Sequence, residues 1–223
     1  MISVIIPTLN AAGCIGPCLI ALGEAVVAER LADVVISDGG SSDEIEKIAD
    51  SVGARLIDGP AGRGRQLAAG VATARGDWLL LLHADTVLAE GWLQAAERHI
   101  QQNPDRAGWF QLRFDDPSLM ARLVAGWANL RARVFGLPYG DQGMLIHRDL
   151  YDQIGGMPGI PLMEDVALAR KLGRRRLKPI NAIATTTADK YRRDGWLRRG
   201  SSNLIRLARF LCGASPDDLA KGY

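Results

Sequence analysis

The chain is poor in cysteine, has no long hydrophobic run, and lacks the glycine-rich signatures of two large nucleotide-binding classes. Its three cysteines, Cys14, Cys18 and Cys212, cannot all pair within the chain, which excludes a disulfide framework and points to a reducing cytoplasm. Cys14 and Cys18 stand four apart without companion cysteines or clustered histidines, a poor zinc site. The longest strongly apolar run is Trp78 to Leu82, far short of the ~20 residues that cross a bilayer. The N-terminus enters Ile2-Ser3-Val4-Ile5-Ile6 with no basic segment before it, so no signal peptide is read. The dinucleotide fingerprint is missing, because Pro7-Thr8-Leu9-Asn10 follows the first strand where glycines should stand. Gly62-Arg63-Gly64-Arg65 has no Lys-Ser/Thr ending, which excludes a Walker A loop.

What is present is an ordinary globular composition, 48% apolar and 23% charged over 223 residues, enough for one sizeable core. No repeat or low-complexity linker divides the chain, so 1–223 is read as a single domain. The net charge of +2 hides an asymmetry. Residues 1–170 carry −7 (14 Lys+Arg against 21 Asp+Glu) and residues 171–223 carry +9 (13 against 4). The basic last quarter is expected to meet something anionic. No recognised nucleic-acid module accompanies it, so no nucleic-acid partner is expected.

The first ~100 residues alternate strand and helix, which argues a parallel α/β sheet. The strands are Ile2–Ile6 (ended by Pro7), Val34–Ile36, Arg55–Ile57 and Trp78–Leu82. Asn10 can cap the segment after the first strand, and Ser41 with Glu44 reads as a capping box. Gly53 stands where a C-cap glycine belongs. Farther on, Leu119, Leu123, Val124, Trp127, Leu130 and Val134 form one helical stripe, with Arg122, Arg131 and Arg133 elsewhere on the turn. Leu204, Ile205, Ala208 and Leu211 form another, expected to pack on the domain, with peripheral membrane contact as the alternative.

Ligands of open parallel sheets bind beyond the carboxyl ends of the strands. Thr8 and Asn10, Asp38, and Asp85 fall at such ends. Gly62-Arg63-Gly64-Arg65 places two guanidiniums at a helix start, where backbone amides also favour an anion. Each feature has a plain structural reading: Asp38 before two glycines suits a turn, and Glu164-Asp165 suits the positive end of a helix. Their order and spacing carry the functional argument.

That order is Val4-Ile5-Ile6-Pro7-Thr8-Leu9-Asn10, Ser37-Asp38-Gly39-Gly40-Ser41-Ser42-Asp43, Gly62-Arg63-Gly64-Arg65-Gln66 with Ala69-Gly70, and Ala74-Arg75-Gly76-Asp77-Trp78. His83-Ala84-Asp85 and Glu164-Asp165 follow. Nearly end to end it resembles the family 2 glycosyltransferases. The resemblance is nearest to a small bacterial subgroup with His-Ala-Asp in place of Asp-x-Asp and a Ser-Pro-x-x-Leu-Ala segment, here Ser215 to Ala220. Names in that subgroup are linked to arsenosugar biosynthesis.

The resemblance implies the GT-A fold: α/β, with a Rossmann-like, mostly parallel central sheet flanked by helices. Residues 1–105 would form a nucleotide-sugar-binding half, and 106–223 an acceptor and catalytic half with basic C-terminal helices. Pro7, Thr8, Asn10, Asp38, Arg65, His83, Ala84 and Asp85 would bind the donor, with a UDP-sugar favoured. Asp38 would accept from the base or ribose, and Arg65 would lie near the diphosphate. Asp85 would hold Mn2+ or Mg2+, hard ions that accept one carboxylate when a diphosphate supplies other ligands. Asp165 would be the general base for an unidentified acceptor hydroxyl, with Glu164 beside it as the fallback, and the anomeric centre would invert. Gln142, Arg193 and Trp196 would contact acceptor or diphosphate, and the loop Gly155 to Gly159 would move over the donor. Work in the cytoplasm, or at the inner membrane face, is implied. Two departures stand out: His83 replaces an acid, and Ala11-Ala12-Gly13 follow Asn10 where many relatives carry an acid. Two other readings stay open, a nucleotidyltransferase and an inactive nucleotide-sugar-binding protein.

Overall fold

The computed structural model describes residues 1–220, so the last three residues of the 1–223 span lie outside the described residues. Its centre is an eight-stranded sheet. β1 (Ile2–Thr8), β2 (Leu31–Asp38), β3 (Arg55–Asp58) and β4 (Trp78–Leu81) pair in parallel in the spatial order β3-β2-β1-β4. The sheet continues past β4 with residues of the second half of the chain. β7 (Met144–His147) runs antiparallel to β4, and β6 (Ala107–Phe114) antiparallel to β7. β8 (Leu177–Thr186) is parallel to β6, and the short β5 (Thr86–Leu88) closes the edge antiparallel to β8. Parallel pairs thus outnumber antiparallel ones.

Helices cover both faces, which is why the central strands are continuous apolar runs rather than alternating ones. Along β4, Leu80 packs into one core with Val4, Ile6 and Ile36, while Leu79 and Leu81 pack into the other with Ile5. The first core is roofed by α1 (Ile15–Ala21), α2 (Gly23–Val27), α3 (Ile45–Ser51) and α5 (Trp92–Gln102). The second is roofed by α4 (Arg63–Thr73), the end of α6 (Leu119–Phe135), α7 (Arg148–Gln153) and α8 (Glu164–Leu172). The basic end of the chain forms α9 (Asp189–Asp194), α10 (Trp196–Leu211) and α11 (Pro216–Ala220).

Four local expectations are corrected. β1 does not stop at Pro7 but runs through it to Thr8. The Ile5 carbonyl accepts from Leu82 on the β4 side, and pairing with β4 ends there. Pro7 turns its nitrogen to that same side two residues later, where no ladder bond is due, so its missing N–H costs nothing. Asn10 caps no helix; it adopts a left-handed φ of 52° and binds Ser42 instead. Ser41 forms no capping box, because Asp38 holds its hydroxyl and α3 starts only at Ile45. Leu204, Ile205, Ala208 and Leu211 on α10 do not pack on the domain but are exposed, and the α6 stripe likewise faces outward at Leu119, Leu123, Trp127, Leu130 and Val134, with Val124 partly buried and Ala121, Ala125, Ala128 and Ala132 facing inward. Gly53, in contrast, has the left-handed φ of 65° expected after α3.

Candidate active site

The carboxyl ends of β1 and β2 are tied together by one carboxylate. Thr8 and Asp38 are register partners, and both are buried. Asp38 Oδ1 accepts from the Thr8 hydroxyl at 2.8 Å and the Ser41 hydroxyl at 2.5 Å. Its Oδ2 accepts from the amides of Gly40 at 2.9 Å and Ser41 at 2.6 Å. Those four bonds fill the usual acceptor directions of a carboxylate. Burial alone would raise the pKa of Asp38, but the bonds from Ser41, Thr8 and Gly40 outweigh it and hold the group below the ordinary carboxylate range. Asn10 joins the same network: its amide donates to the Ser41 hydroxyl at 2.7 Å, and its Oδ1 accepts from Ser42 at 2.9 Å. Asp43 reaches back to accept from the Ala12 amide at 2.7 Å.

Gln66 on α4 locks this edge, a role the sequence did not signal. Its Nε2 donates to the carbonyls of Thr8 (2.6 Å) and Ser37 (2.8 Å), and its Oε1 accepts from Gly62 at 3.2 Å. Of the two guanidiniums at the start of α4, Arg65 is exposed. Arg63 is the one turned inward, with Nη1 3.7 Å from Oε1 of Glu164.

β4 delivers His83-Ala84-Asp85 to the same end of the sheet, with Ala84 buried and Asp85 half-exposed. Burial, helped by the positive charges of Arg63 and Lys190, pushes the His83 pKa down to about 3, so the ring is neutral at physiological pH. Across from it lies the turn 139–143. A methyl group on Gly140 would lie 2.4 Å from His83 Nε2, so only glycine allows this approach. The Gly140 amide donates to Asp165 Oδ2 at 2.7 Å, and Asp165 Oδ1 accepts from the Val166 amide at 2.7 Å. Gly140 therefore bridges the end of β4 and the start of α8. Beside Asp165, which is half-buried, Glu164 is only 2% exposed. Burial and the Asp165 charge raise the Glu164 pKa, with Arg63 opposing. The pair follows Met163, whose φ of 64° is unusual for a non-glycine residue. Among the described residues three non-glycines have such φ values, and two of them, Asn10 and Met163, border this cleft.

The turn also brings in a residue the sequence reading passed over. Asp141 is surrounded by Arg131, Asp165, Asp85 and Arg63, and its Oδ1 is buried without a hydrogen-bond partner. Burial first, then the charges of Asp165 and Asp85, push its pKa up to about 6 against the pull of Arg131. Tyr139 Oη and Arg131 Nη2 are buried and unpartnered as well, and the Arg131 guanidinium lies 3.4 Å from the Tyr139 ring centroid. Three unpartnered polar atoms on neighbouring side chains call for an explanation such as water or ligand. The sequence setting of Asp141 is Gly140-Asp141-Gln142-Gly143, in which Gln142 is the expected contact. Gln142 is fully buried, with Nε2 donating to Phe110 and Asn129 and Oε1 accepting from Tyr139, and it braces the turn from behind.

Arg193 and Trp196 belong to the basic end of the chain, where Tyr191 feels the Asp141 charge. Arg193 is exposed and pairs with Asp194 at 2.8 Å. Trp196 stacks on Tyr191 at 4.8 Å and meets Phe114 edge-on at 5.2 Å. The loop before α8 already rests on α4, since a methyl on Gly64 would lie 2.3 Å from the Pro158 carbonyl oxygen. Behind His83, Gly140 and Asp165 a cavity of about 20 Å3 is lined mainly by apolar residues such as Leu67, Leu81 and Met144. That space suits one water molecule and no sugar. Among the described residues no three His, Cys, Asp or Glu side chains gather into a metal cluster, and Cys14, Cys18 and Cys212 are free thiols.

The profile described as Glycosyl transferase family 2 matches residues 3–155. A PGL/p-HBAD biosynthesis glycosyltransferase of Mycobacterium tuberculosis is 39% identical over 97 residues, which are 40% of this chain and 37% of that protein. This chain thus matches well under half the length of that relative. Among solved structures, S. aureus TarS 1–349 in complex with UDP-GlcNAc is similar at a TM-score of 0.63 and 17% identity, covering 83% of this chain and 58% of that one. Glucosyl-3-phosphoglycerate synthase from M. tuberculosis, in complex with Mn2+, UDP and glucosyl-3-phosphoglycerate, is similar at 0.62 and 18% identity, covering 92% and 78%. At such identities the likeness speaks for the fold.

Proposed function

The chain belongs to glycosyl transferase family 2, and on that premise we propose that it moves a sugar from a nucleoside diphosphate donor to an acceptor hydroxyl with inversion at the anomeric carbon. The observation that carries this reading is the Gly140 bridge: one residue touches His83 at the end of β4 and hydrogen-bonds Asp165 at the start of α8. Donor and base chemistry thereby share one cleft. A UDP-sugar is the favoured donor, in keeping with the UDP and UDP-GlcNAc complexes of the similar folds.

Asp165 is the general base. It is half-open, whereas Glu164 is buried, faces Arg63 and has its own pKa raised first by burial. As the acceptor oxygen bonds to the anomeric carbon, its proton passes to Asp165 and the bond from that carbon to the diphosphate oxygen breaks on the opposite face. A positioned carboxylate of this kind contributes about 10²–10⁴-fold. Arg63 supplies positive charge at the start of α4, and Asp38 holds the nucleoside-facing loops in shape; a nucleoside contact to Asp38 requires the Ser41 hydroxyl to turn away. The unpartnered Tyr139, Asp141 and Arg131 atoms line the acceptor side.

A divalent cation fits this site. Asp85 offers a hard, half-exposed oxygen donor, and the surplus of negative charge from Asp85, Asp141 and Asp165 is what an Mn2+ or Mg2+ ion with diphosphate ligands offsets. When bound, the ion would stabilise the charge that develops on the departing diphosphate. Three free thiols, two of them exposed, suit a reducing cytoplasm. His83-Ala84-Asp85 and the Ser215–Ala220 segment resemble the subgroup named for arsenosugar biosynthesis, a resemblance that leaves the acceptor open.

The test is a melting panel of nucleoside diphosphates and their sugars with Mn2+, followed by turnover of the hit. Asp165→Asn is expected to bind the donor as wild type does while turnover falls by about 10²–10⁴-fold. Unchanged turnover in that variant would remove Asp165 from the mechanism.

A further inference from the structure

The outward face of α6 is unusual for a soluble helix. Leu119, Leu123, Trp127, Leu130 and Val134 follow helical spacing and are between 39% and 70% exposed. Single exposed apolar residues are common, but a continuous stripe along a helix about 25 Å long marks an interaction surface. Exposed Arg122 and Arg133 run along one flank of that stripe. α10 touches α6 and repeats the pattern, with Leu197, Leu204, Ile205 and Leu211 exposed beside exposed Arg198 and Arg209. Of the seven arginines on α6 and α10, Arg122, Arg133, Arg198 and Arg209 are exposed, Arg131 is buried and Arg199 pairs with Asp194, and neither helix carries an aspartate or glutamate. The acidic residues just before α6, Asp115 and Asp116, are already paired with Arg192 at 3.2 and 3.0 Å.

We propose that the outer faces of α6 and α10 dock this protein on an anionic lipid surface. Aliphatic side chains and a tryptophan enter the headgroup boundary while the flanking guanidiniums meet lipid phosphates. A lipid surface is fluid and needs no matching shape, so the depression on α10 that Ile205, Arg198 and Arg209 line beside Asp218 of α11 is no obstacle. A second copy of the chain is the poorer occupant, because a two-fold contact through this face sets arginine against arginine with no acid on either helix. No helix among the described residues is long and apolar enough to cross a membrane, so the contact is interfacial. It stands independently of the transfer reaction.

The experiment is flotation of the full chain with phosphatidylcholine vesicles, with and without phosphatidylglycerol. Wild type is expected to float with the anionic vesicles, to be released by 1 M salt, where the screening length shrinks to about 3 Å, and to bind neutral vesicles at least about tenfold less. Leu123→Glu with Trp127→Glu, on an exposed face, is expected to lower anionic binding about tenfold or more while its melting temperature and vesicle-free activity stay at wild-type values. Arg122→Ala with Arg133→Ala removes charge alone and is expected to weaken binding with a shallower salt dependence. Wild type remaining unbound to anionic vesicles, or floating equally with neutral ones, overturns the proposal. So does a wild-type dimer in light scattering that the Leu123→Glu, Trp127→Glu variant splits into monomers, which would assign the face to a second copy.

Discussion

Two carboxylates in this cleft live under opposite rules. Asp38, between β2 and α3, has all of its acceptor directions filled by Thr8, Gly40 and Ser41, and its pKa is held low. Asp141, in the turn before β7, has a buried oxygen with no partner and a pKa pushed up to about 6. The first region is complete as a protein and shapes a loop before any ligand arrives. The second leaves a buried oxygen unpaired. Preorganisation belongs to one side of the cleft and stored electrostatic cost to the other.

Asp38→Ala attacks the complete side and carries the largest stability effect. It strips four bonds, one from buried Thr8, two from half-buried Ser41 and one from exposed Gly40, and unties β1 from the loop after β2, so a loss of about 2–4 kcal/mol is expected, read as a shift in the urea midpoint at constant m-value. A loss below about 1 kcal/mol would mean that Asp38 is held for ligand contact rather than for structure. Gly140→Ala comes next. Its methyl must displace the His83 ring, an overpacking cost of about 1–3 kcal/mol. Asp165 would shift with it, so turnover should fall more than stability does. Normal turnover in a folded Gly140→Ala would dissolve the link between His83 and Asp165.

The same asymmetry decides what the sequence could reveal. Strands at the carboxyl ends announce themselves by β-branched runs and by polar residues where the runs stop, so Thr8, Asp38 and Asp85 were legible. Helix faces were harder. α6 carries two apolar stripes, one of large residues and one of alanines, and periodicity alone cannot say which is buried; the alanines won because small side chains let α6 approach the sheet, Ala121, Ala125 and Ala128 beside Leu112 and Phe114. Arg63 and Arg65 differ by two residues and therefore point in nearly opposite directions, a choice only the start of α4 settles. Asp141 was hidden because its peculiarity is a missing bond, and a missing bond has no letter in the sequence.

Asp141→Asn gives the smallest change and the sharpest contrast, because its sign can be worked out. In the unfolded chain Asp141 titrates near 3.9; in the fold it titrates near 6. Between those values the folded state binds more protons than the unfolded one, so this group lowers stability as pH rises from about 4 to about 6, and the cost then stays constant. Asp38 acts in the reverse direction: its lowered folded pKa stabilises above the unfolded value, and that contribution is lost as acid takes pH through the folded one. Removing the charge at Asp141 should therefore stabilise the protein by about 1–2 kcal/mol at pH 7.5 and leave it unchanged at pH 4, measured as the difference between wild-type and variant urea midpoints across pH. Turnover should fall in the same variant, since the cost is kept for what the cleft receives. A variant equally stable at both pH values would show that Asp141 finds a partner in the free protein, and the two sides of the cleft would then obey one rule.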